Sequence, residues 1–203
     1  MTLASDRPVM PEWLVDRRLT LQGGWSQFKL IQQGCEHNPG VRLFYWQGAI
    51  EIFMPGQFHE IFSRAFGWML TYFLLTQKQL AFTPTGSMTQ EKEGFAAAEA
   101  NESYWIGEVK PIPDLALEIV VTSGGLKKLE IYQALGVPEV WFWQDGRLQL
   151  YHLRSQGYEQ IVTSELPGLA DLDLSLLQRC VLMAETNVAE ALSTFAQAIG
   201  TLS

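Results

Sequence analysis

The stretch PDLALEIVVTSGGLKKLEIYQALG, residues 113–136, decides the fold class. Its first half is an apolar run from Leu115 to Val121 that only Glu118 interrupts, a pattern typical of a buried strand. A glycine-containing turn follows, and apolar residues then recur at helical spacing as far as a stop at Gly136. The segment therefore predicts a strand, a tight turn and a helix in succession.

Further strands flank this unit on both sides. Residues 139–144 (EVWFWQ) and 147–153 (RLQLYHL) are separated by an Asp-Gly turn, and residues 41–47 (VRLFYWQ) and 49–55 (AIEIFMP) are separated by a Gln-Gly turn. Both pairs predict antiparallel hairpins. Between them, residues 57–77 carry apolar side chains at three- and four-residue spacing, which predicts a helix with a wide buried face. The fold class is therefore α/β with a mixed sheet.

The whole chain of 203 residues is expected to form one domain without internal repeats. We divide it into an N-terminal wrapping segment (1–40), a core (41–160) and a C-terminal extension (161–203). Within the core, LAFTP, SMTQ and GFAAAEANESYWI are strand-like. In the extension, VAEALSTFAQAIG (188–200) predicts a helix that covers the sheet or a partner subunit.

Composition narrows the classes of function. A net charge of −8 argues against broad, charge-driven adhesion to nucleic acid, so any DNA-binding surface must be local. No apolar run approaches the roughly 18 residues that cross a bilayer, and the first residues lack the apolar core of a secretory signal. We therefore expect a cytoplasmic protein without a membrane partner, with Cys35 and Cys180 as free thiols.

Glu118 is the first candidate for a functional site, because an ionised carboxylate in a buried strand needs a metal, a cation or several donors around it. Strand alternation places Asp114 on the same side of the strand as Glu118, although Asp114 could equally be an edge or turn residue. The preceding candidate strand carries Glu99, Asn101 and Ser103 on one face. Oxygen ligands from two neighbouring strands suit a hard cation, so these residues indicate a shared magnesium site.

Lys127 and Lys128 begin the helix that follows Glu118. An ammonium there could orient an attacking water or stabilise the charge of a phosphate transition state, so the carboxylates and lysine together indicate phosphodiester hydrolysis. Two interpretations without a catalytic role stay open for these residues. Glu118 could pair with Lys128 or Arg64 for purely structural reasons, and Lys128 could be a solvated helix residue.

The segments EANESYWI (99–106) and PDLALEIVVTSGGLKKLEIYQALGVPEVWFW (113–143) resemble the Uma family of restriction-endonuclease-like proteins, which belong to the PD-(D/E)XK nuclease superfamily and are common in cyanobacteria. The resemblance spans about residues 41–153, and its most specific part ends in GVPEVWFW. It implies a restriction-endonuclease-like mixed central sheet flanked by helices. It also implies an endonuclease that needs Mg²⁺ or Mn²⁺ and acts on DNA.

This resemblance also implies roles for several residues of the candidate site. Glu118 corresponds to the family's metal-binding glutamate, and Lys128 to its catalytic lysine, which the helix supplies because Val120 occupies the usual lysine position on the strand. Lys127 is the alternative to Lys128. His59 matches a position where family members often carry histidine, and His59 or Glu60 could complete the site from the start of the first long helix.

The chain departs from the family at one metal ligand. Where the family has Glu-Pro-Asp, with the aspartate on the metal, this chain has Glu99, Ala100 and Asn101. An asparagine offers a carbonyl oxygen without a negative charge, so metal affinity should fall unless Glu99, Glu102 or Asp114 compensates.

Three functions follow from these residues. The first is a metal-dependent DNA endonuclease in which Glu118, with Asn101 and Asp114, holds the cation. The second is a catalytically degenerate endonuclease-like module for binding or regulation. The third is a hydrolase of a small phosphorylated substrate, which the acidic charge disfavours less than long DNA. The aromatic strand and the apolar tail also suggest a homodimer.

Overall fold

The computed structural model describes residues 14–38, 40–77, 80–120 and 128–200, which form eleven strands and five helices. The strands are β1 (Arg17–Gln22), β2 (Arg42–Trp46), β3 (Ala49–Met54), β4 (Phe82–Pro84), β5 (Thr89–Lys92), β6 (Ala96–Glu99), β7 (Glu102–Ile106), β8 (Leu115–Val120), β9 (Glu139–Gln144), β10 (Arg147–Arg154) and β11 (Gly157–Ile161). The helices are α1 (Trp25–Cys35), α2 (Gln57–Thr76), α3 (Lys128–Leu135), α4 (Leu174–Ala184) and α5 (Val188–Ile199). The predicted turn at 122–125 and the candidate Lys127 lie outside the described residues.

A five-stranded antiparallel sheet has the order β1-β3-β2-β6-β5. The predicted hairpin of β2 and β3 is confirmed, and it turns at Gln47 and Gly48 with φ angles of 49° and 79°. Such positive φ angles at both central residues match the twist of the two strands. Part of the N-terminal segment belongs to this sheet, because β1 pairs along β3 and α1 packs on the sheet through Phe28.

A six-stranded sheet has the order β11-β10-β9-β8-β7-β4, and it is the predicted mixed sheet. Only β8 and β9 run parallel among its described pairs, and α3 lies between them in the chain. Every residue of β8 is buried, as its apolar run predicted. The second predicted hairpin is also confirmed, with Asp145 and Gly146 at positive φ.

The chain passes from one sheet to the other at Ala100 and Asn101. The sequence predicted one strand with Glu99, Asn101 and Ser103 on one face, and this prediction is wrong, because β6 ends at Glu99 and β7 begins in the other sheet. The side chains that lead into the crossing are mostly alanines, which leave room for the backbone to pass between packed sheets. At the crossing, the Asn101 backbone N–H donates to the carbonyl of Leu117 at 3.0 Å.

Helices α2, α4 and α5 cover one side of the six-stranded sheet, and α3 lies on its other side, between the two sheets. On the outer side, α2, α4 and α5 pack against β8 and β9 through side chains such as Phe66, Leu177 and Phe195. On the inner side, α3 packs through Ile131 and Tyr132 between residues of both sheets. The predicted helices at 57–77 and 188–200 are thus confirmed. Within the described residues, no helix has the length and apolarity needed to cross a membrane.

Candidate active site

Glu118 lies in the middle of β8, on the side that faces α3, and its side chain is almost completely buried. Its Oε2 accepts a hydrogen bond from Lys128 Nζ at 2.7 Å, and its Oε1 accepts one from the Tyr132 hydroxyl. Lys128 and Tyr132 are one helical turn apart on α3, so both point toward the same strand residue. The structure therefore brings together the strand glutamate and the helix lysine that the sequence singled out.

Lys128 is a buried cation with only 6% of its surface exposed, so it is not a solvated helix residue. Its Nζ lies 3.8 Å from the ring centroid of Phe44 and 5.6 Å from that of Phe53. Both aromatic faces stabilise the ammonium in addition to the carboxylate. Burial, together with the adjacent Glu118 charge, holds the pKa of Tyr132 well above its ordinary value, so its hydroxyl remains a donor.

Asn101 stands beside Glu118 in the same buried region, where the chain crosses between the sheets. Its Oδ1 accepts a hydrogen bond from the backbone N–H of Ile119 at 2.7 Å, and its Nδ2 contacts His59 Nε2. Because a backbone N–H can only donate, it fixes which end of the amide is oxygen. The donor end of Asn101 is thus directed at His59.

His59, in the first turn of α2, links Asn101 to Asp16. Its Nδ1 lies 3.3 Å from Asp16 Oδ2, and Asp16 Oδ1 accepts the backbone N–H of Gly56 at 2.8 Å. Since Nε2 accepts from Asn101, the ring carries its proton on Nδ1. Burial pushes the pKa of Asp16 upward, but the hydrogen bonds from His59 and Gly56 and the charge of Arg18 hold it below its ordinary value.

The side chains around Glu118, Asn101 and His59 form one cluster, and Arg42 and Glu60 complete it on the side toward solvent. Arg42 Nη2 donates to Glu60 Oε1 at 2.7 Å, and Arg42 Nη1 lies 3.5 Å from His59 Nε2. Arg42 is buried, whereas 37% of the Glu60 side chain is exposed. Sequence reasoning missed Arg42 and Asp16, since each lies far along the chain from the strand–helix motif and neither belongs to a recognisable pattern.

Three other candidates lie away from this cluster. Glu99 faces the opposite side of its sheet, where it accepts from Leu43 N at 3.0 Å and Thr89 Oγ1 at 2.7 Å. Asp114 precedes β8 by one residue and is held by the Ile106 N–H at 2.8 Å and by Lys110 Nζ at 2.5 Å. Glu102 faces α2, where it accepts from Ser63. None of the three adds a carboxylate beside Glu118.

The described residues do not fit a divalent cation between Glu118 and Asn101. Both Glu118 oxygens already accept hydrogen bonds, its charge is balanced by Lys128, and Asn101 turns an N–H donor toward His59. Within the described part of the chain, no group of three or more histidine, cysteine, aspartate or glutamate side chains is placed to hold a metal ion. Mg²⁺ and Mn²⁺ prefer several anionic oxygens, which this donor set does not supply.

A buried strand glutamate that contacts a lysine of the next helix, on a mixed α/β sheet, places the protein in the restriction-endonuclease-like class. Residues 25–184 match the model of the Uma2 family, described as "Putative restriction endonuclease". The chain therefore belongs to the Uma2 family, and the predicted family and fold class are confirmed. The description of the family supports a nuclease-like function. No curated protein matches the chain.

Proposed function

We propose that this Uma2-family chain is a degenerate endonuclease-like protein, whose fold serves binding or regulation and which cleaves DNA poorly. The observation that carries this proposal is the orientation of Asn101, which accepts from Ile119 N and donates to His59 Nε2. Its amide is a neutral link in a hydrogen-bonded chain that continues to Asp16.

Electrostatics favours this proposal over an efficient metal-dependent enzyme. A metal-binding aspartate at position 101 would add a negative charge beside Glu118, whereas asparagine adds none. The remaining Glu118 carboxylate is compensated by Lys128 at 2.7 Å. A divalent cation entering the cluster would therefore lose most of its water without gaining the attraction of a net negative site.

One observation favours a second candidate, a DNA endonuclease dependent on Mg²⁺ or Mn²⁺. Glu118 and Lys128 retain the strand-and-helix arrangement that the resemblance assigns to the metal ligand and the catalytic lysine. In this candidate Glu118 would help to hold the cation, and Lys128 would stabilise negative charge at the scissile phosphate. The weakened donor set predicts low activity even then.

Manganese calorimetry and plasmid nicking on the wild type and Asn101→Asp separate the two candidates. We expect the wild type to bind Mn²⁺ weakly and to nick supercoiled DNA at background rate, and Asn101→Asp to gain at least about tenfold in Mn²⁺ affinity because a second carboxylate is restored. The matched control is Asn101→Asp combined with Glu118→Gln, which should lose that gain. Wild-type nicking that requires Mn²⁺ and disappears in Glu118→Gln would overturn the degenerate assignment.

A further inference from the structure

A cavity of about 480 Å³ lies on the other side of the six-stranded sheet, between α2, β7 and α5. Its walls include Trp68, Tyr104 and Leu192, and Glu102 is part of its lining. In the strand register Glu102 is opposite Leu117, which packs in the α2 core, whereas the next residue, Glu118, faces α3. The cavity is therefore separate from the candidate active site.

Glu102 is a nearly buried carboxylate at this cavity, with 8% of its surface exposed. Its Oε1 accepts a hydrogen bond from Ser63 Oγ at 3.1 Å. Within the described residues no basic side chain forms a salt bridge with it, and Arg42 pairs with Glu60 instead. Burial raises the pKa of Glu102, and the charges of Arg64 and Arg42 oppose that rise only in part. A carboxylate accepts up to about four hydrogen bonds, so Glu102 retains capacity for a donor from a ligand.

Gly67 makes the room that this carboxylate occupies. A Cβ at position 67 would lie 2.9 Å from the carboxyl carbon of Glu102, closer than such atoms approach. The Gly67 carbonyl accepts a hydrogen bond from the Tyr104 hydroxyl at 2.9 Å. This bond holds α2 against β7 at the position where α2 has no side chain. The recess is thus built by the helix, the strand and the missing side chain together.

The remaining walls are apolar and aromatic. Trp68 is 39% exposed at the rim, and its ring stacks on Tyr72 with a centroid distance of 5.0 Å and an interplanar angle of 10°. Val188 and Leu192 of α5 supply aliphatic surface. Aromatic faces attract cations, and aliphatic walls favour a ligand with an apolar body over a hydrated metal ion.

We propose that this cavity binds a small organic cation, a primary ammonium on an apolar body. The ammonium pairs with Glu102, and the body lies against Trp68 and Leu192. A charged donor stabilises a buried carboxylate more than a neutral one does, and the walls offer no oxygen-rich shell for an inorganic cation. Arg64, which also lines the cavity and is exposed, competes with the ligand for Glu102.

Calorimetric titration of the full chain with phenethylamine tests this proposal, beside 3-phenylpropanoate and 2-phenylethanol as ligands of the same shape with negative and zero charge. We expect the amine to bind most tightly and the carboxylate most weakly. Glu102→Gln, which keeps the shape of the side chain, should weaken amine binding at least about tenfold. Arg64→Gln should strengthen it, because the competing guanidinium is removed.

Equal amine affinity in the wild type and Glu102→Gln would overturn the proposal, as would tighter binding of the carboxylate, which would assign the cavity to an anion at Arg64. Gly67→Ala provides a second variant, because the added methyl group displaces the carboxylate while leaving its charge. It should weaken amine binding without changing the Mn²⁺ response of the protein. The outcome at this cavity is thus independent of the proposed function at Glu118.

Discussion

At the scale of single residues, Glu118 and Lys128 stabilise each other because each would otherwise be a buried charge without compensation. Removing one partner leaves the other charge in place and costs about 3–5 kcal/mol. We therefore expect Glu118→Ala to lower the free energy of unfolding by about that amount. Urea unfolding measures it. Lys128→Met should be destabilising for the same reason, because it leaves the carboxylate unpaired.

The double variant Glu118→Met, Lys128→Met is the control for that prediction. Replacing both charges by apolar side chains of similar length removes the cost of burying them, so the double variant should be more stable than either single variant. Losses that simply add would show that the two side chains do not act as a pair.

His59 and residue 101 make a second prediction at this scale. In the wild type, the ring carries its proton on Nδ1 and accepts from Asn101 at Nε2. In Asn101→Asp, a carboxylate oxygen, which can only accept, would face Nε2, so Nε2 would have to change from acceptor to donor. We therefore expect the imidazole ¹⁵N shifts of His59 to change in the variant. Unchanged ¹⁵N shifts would show that residue 101 does not contact His59.

Glu102 makes stability depend on pH. Burial raises its pKa above the ordinary 4.5, against the opposing effects of the Ser63 hydrogen bond and the charges of Arg64 and Arg42. A raised folded-state pKa means that its stabilising contribution is complete below the unfolded-state pKa and is lost as the pH rises through the folded-state pKa. Glu102→Gln abolishes this loss. Its stability relative to the wild type should therefore increase with pH from about 4 to 7.

Urea unfolding at a series of pH values checks the prediction for Glu102. A stability difference that is constant across the range, or that decreases as the pH rises, would contradict the direction of the shift. The wild type and Glu102→Gln differ in one titrating group, so the contributions of Glu99 and Asp16, whose pKa values are also shifted, cancel in the comparison.

At the scale of elements, the sequence predicted what short-range patterns determine. The β-rich segments and the turn residues between them predicted both hairpins, and the helical spacing of apolar residues predicted α2. These signals act within a few residues of the chain. The change of sheet at Asn101 was missed, since GFAAAEANESYWI has no break strong enough to end a strand. Asp16 and Arg42 were missed because only the assembled sheets bring them to His59.

Glu139 fixes the connection between β11 and α4 at residues 162–173. Its buried carboxylate accepts from Trp141 Nε1 at 2.6 Å, Ser164 Oγ at 2.7 Å and the Glu165 N–H at 3.0 Å, and it lies 3.2 Å from His152 Nδ1. Glu139→Ala would leave several of these donors without a partner, at a cost of about 3 kcal/mol or more. Urea unfolding should show this loss.

Hydrogen exchange locates the effect of Glu139→Ala. The Glu165 amide should exchange faster in the variant, whereas amides in the centre of α2 should differ only by the global loss of stability. Glu139→Gln is the control, because it keeps one acceptor oxygen and should lose less. Unchanged exchange at Glu165 would mean that the connection is held by other contacts.

At the scale of the whole molecule, the exposed side chains limit how the chain can bind the two partners that the sequence suggests, a second copy of itself and DNA. The side chains of Trp141, Phe142 and Trp143 are buried within the chain, so the aromatic strand does not supply a dimer interface. The apolar tail still exposes Leu182 and Val188. A homodimer therefore stays a prediction that depends on α4 and α5, and sedimentation velocity that detects only monomer would exclude it.

Binding to DNA depends on cations that are free to meet phosphates. Carboxylates lie within 4.0 Å of many basic side chains in the described part of the chain: Arg18, Lys29, Arg42, Lys110, Lys128 and Arg154. Each would have to exchange a carboxylate for a phosphate, which reduces the gain from releasing counterions. A net charge of −8 also disfavours long-range attraction to DNA.

We therefore expect weak binding of duplex DNA with a shallow dependence on salt. A slope of log K against log salt less steep than about −3 corresponds to about three phosphates or fewer. Fluorescence anisotropy of a labelled duplex, without divalent cations, measures the slope, and Arg154→Gln should leave it unchanged because Glu165 holds that guanidinium. A slope of about −6 or steeper would reveal an organised phosphate-binding surface and favour the endonuclease candidate, because the chain would then contact about six phosphates or more.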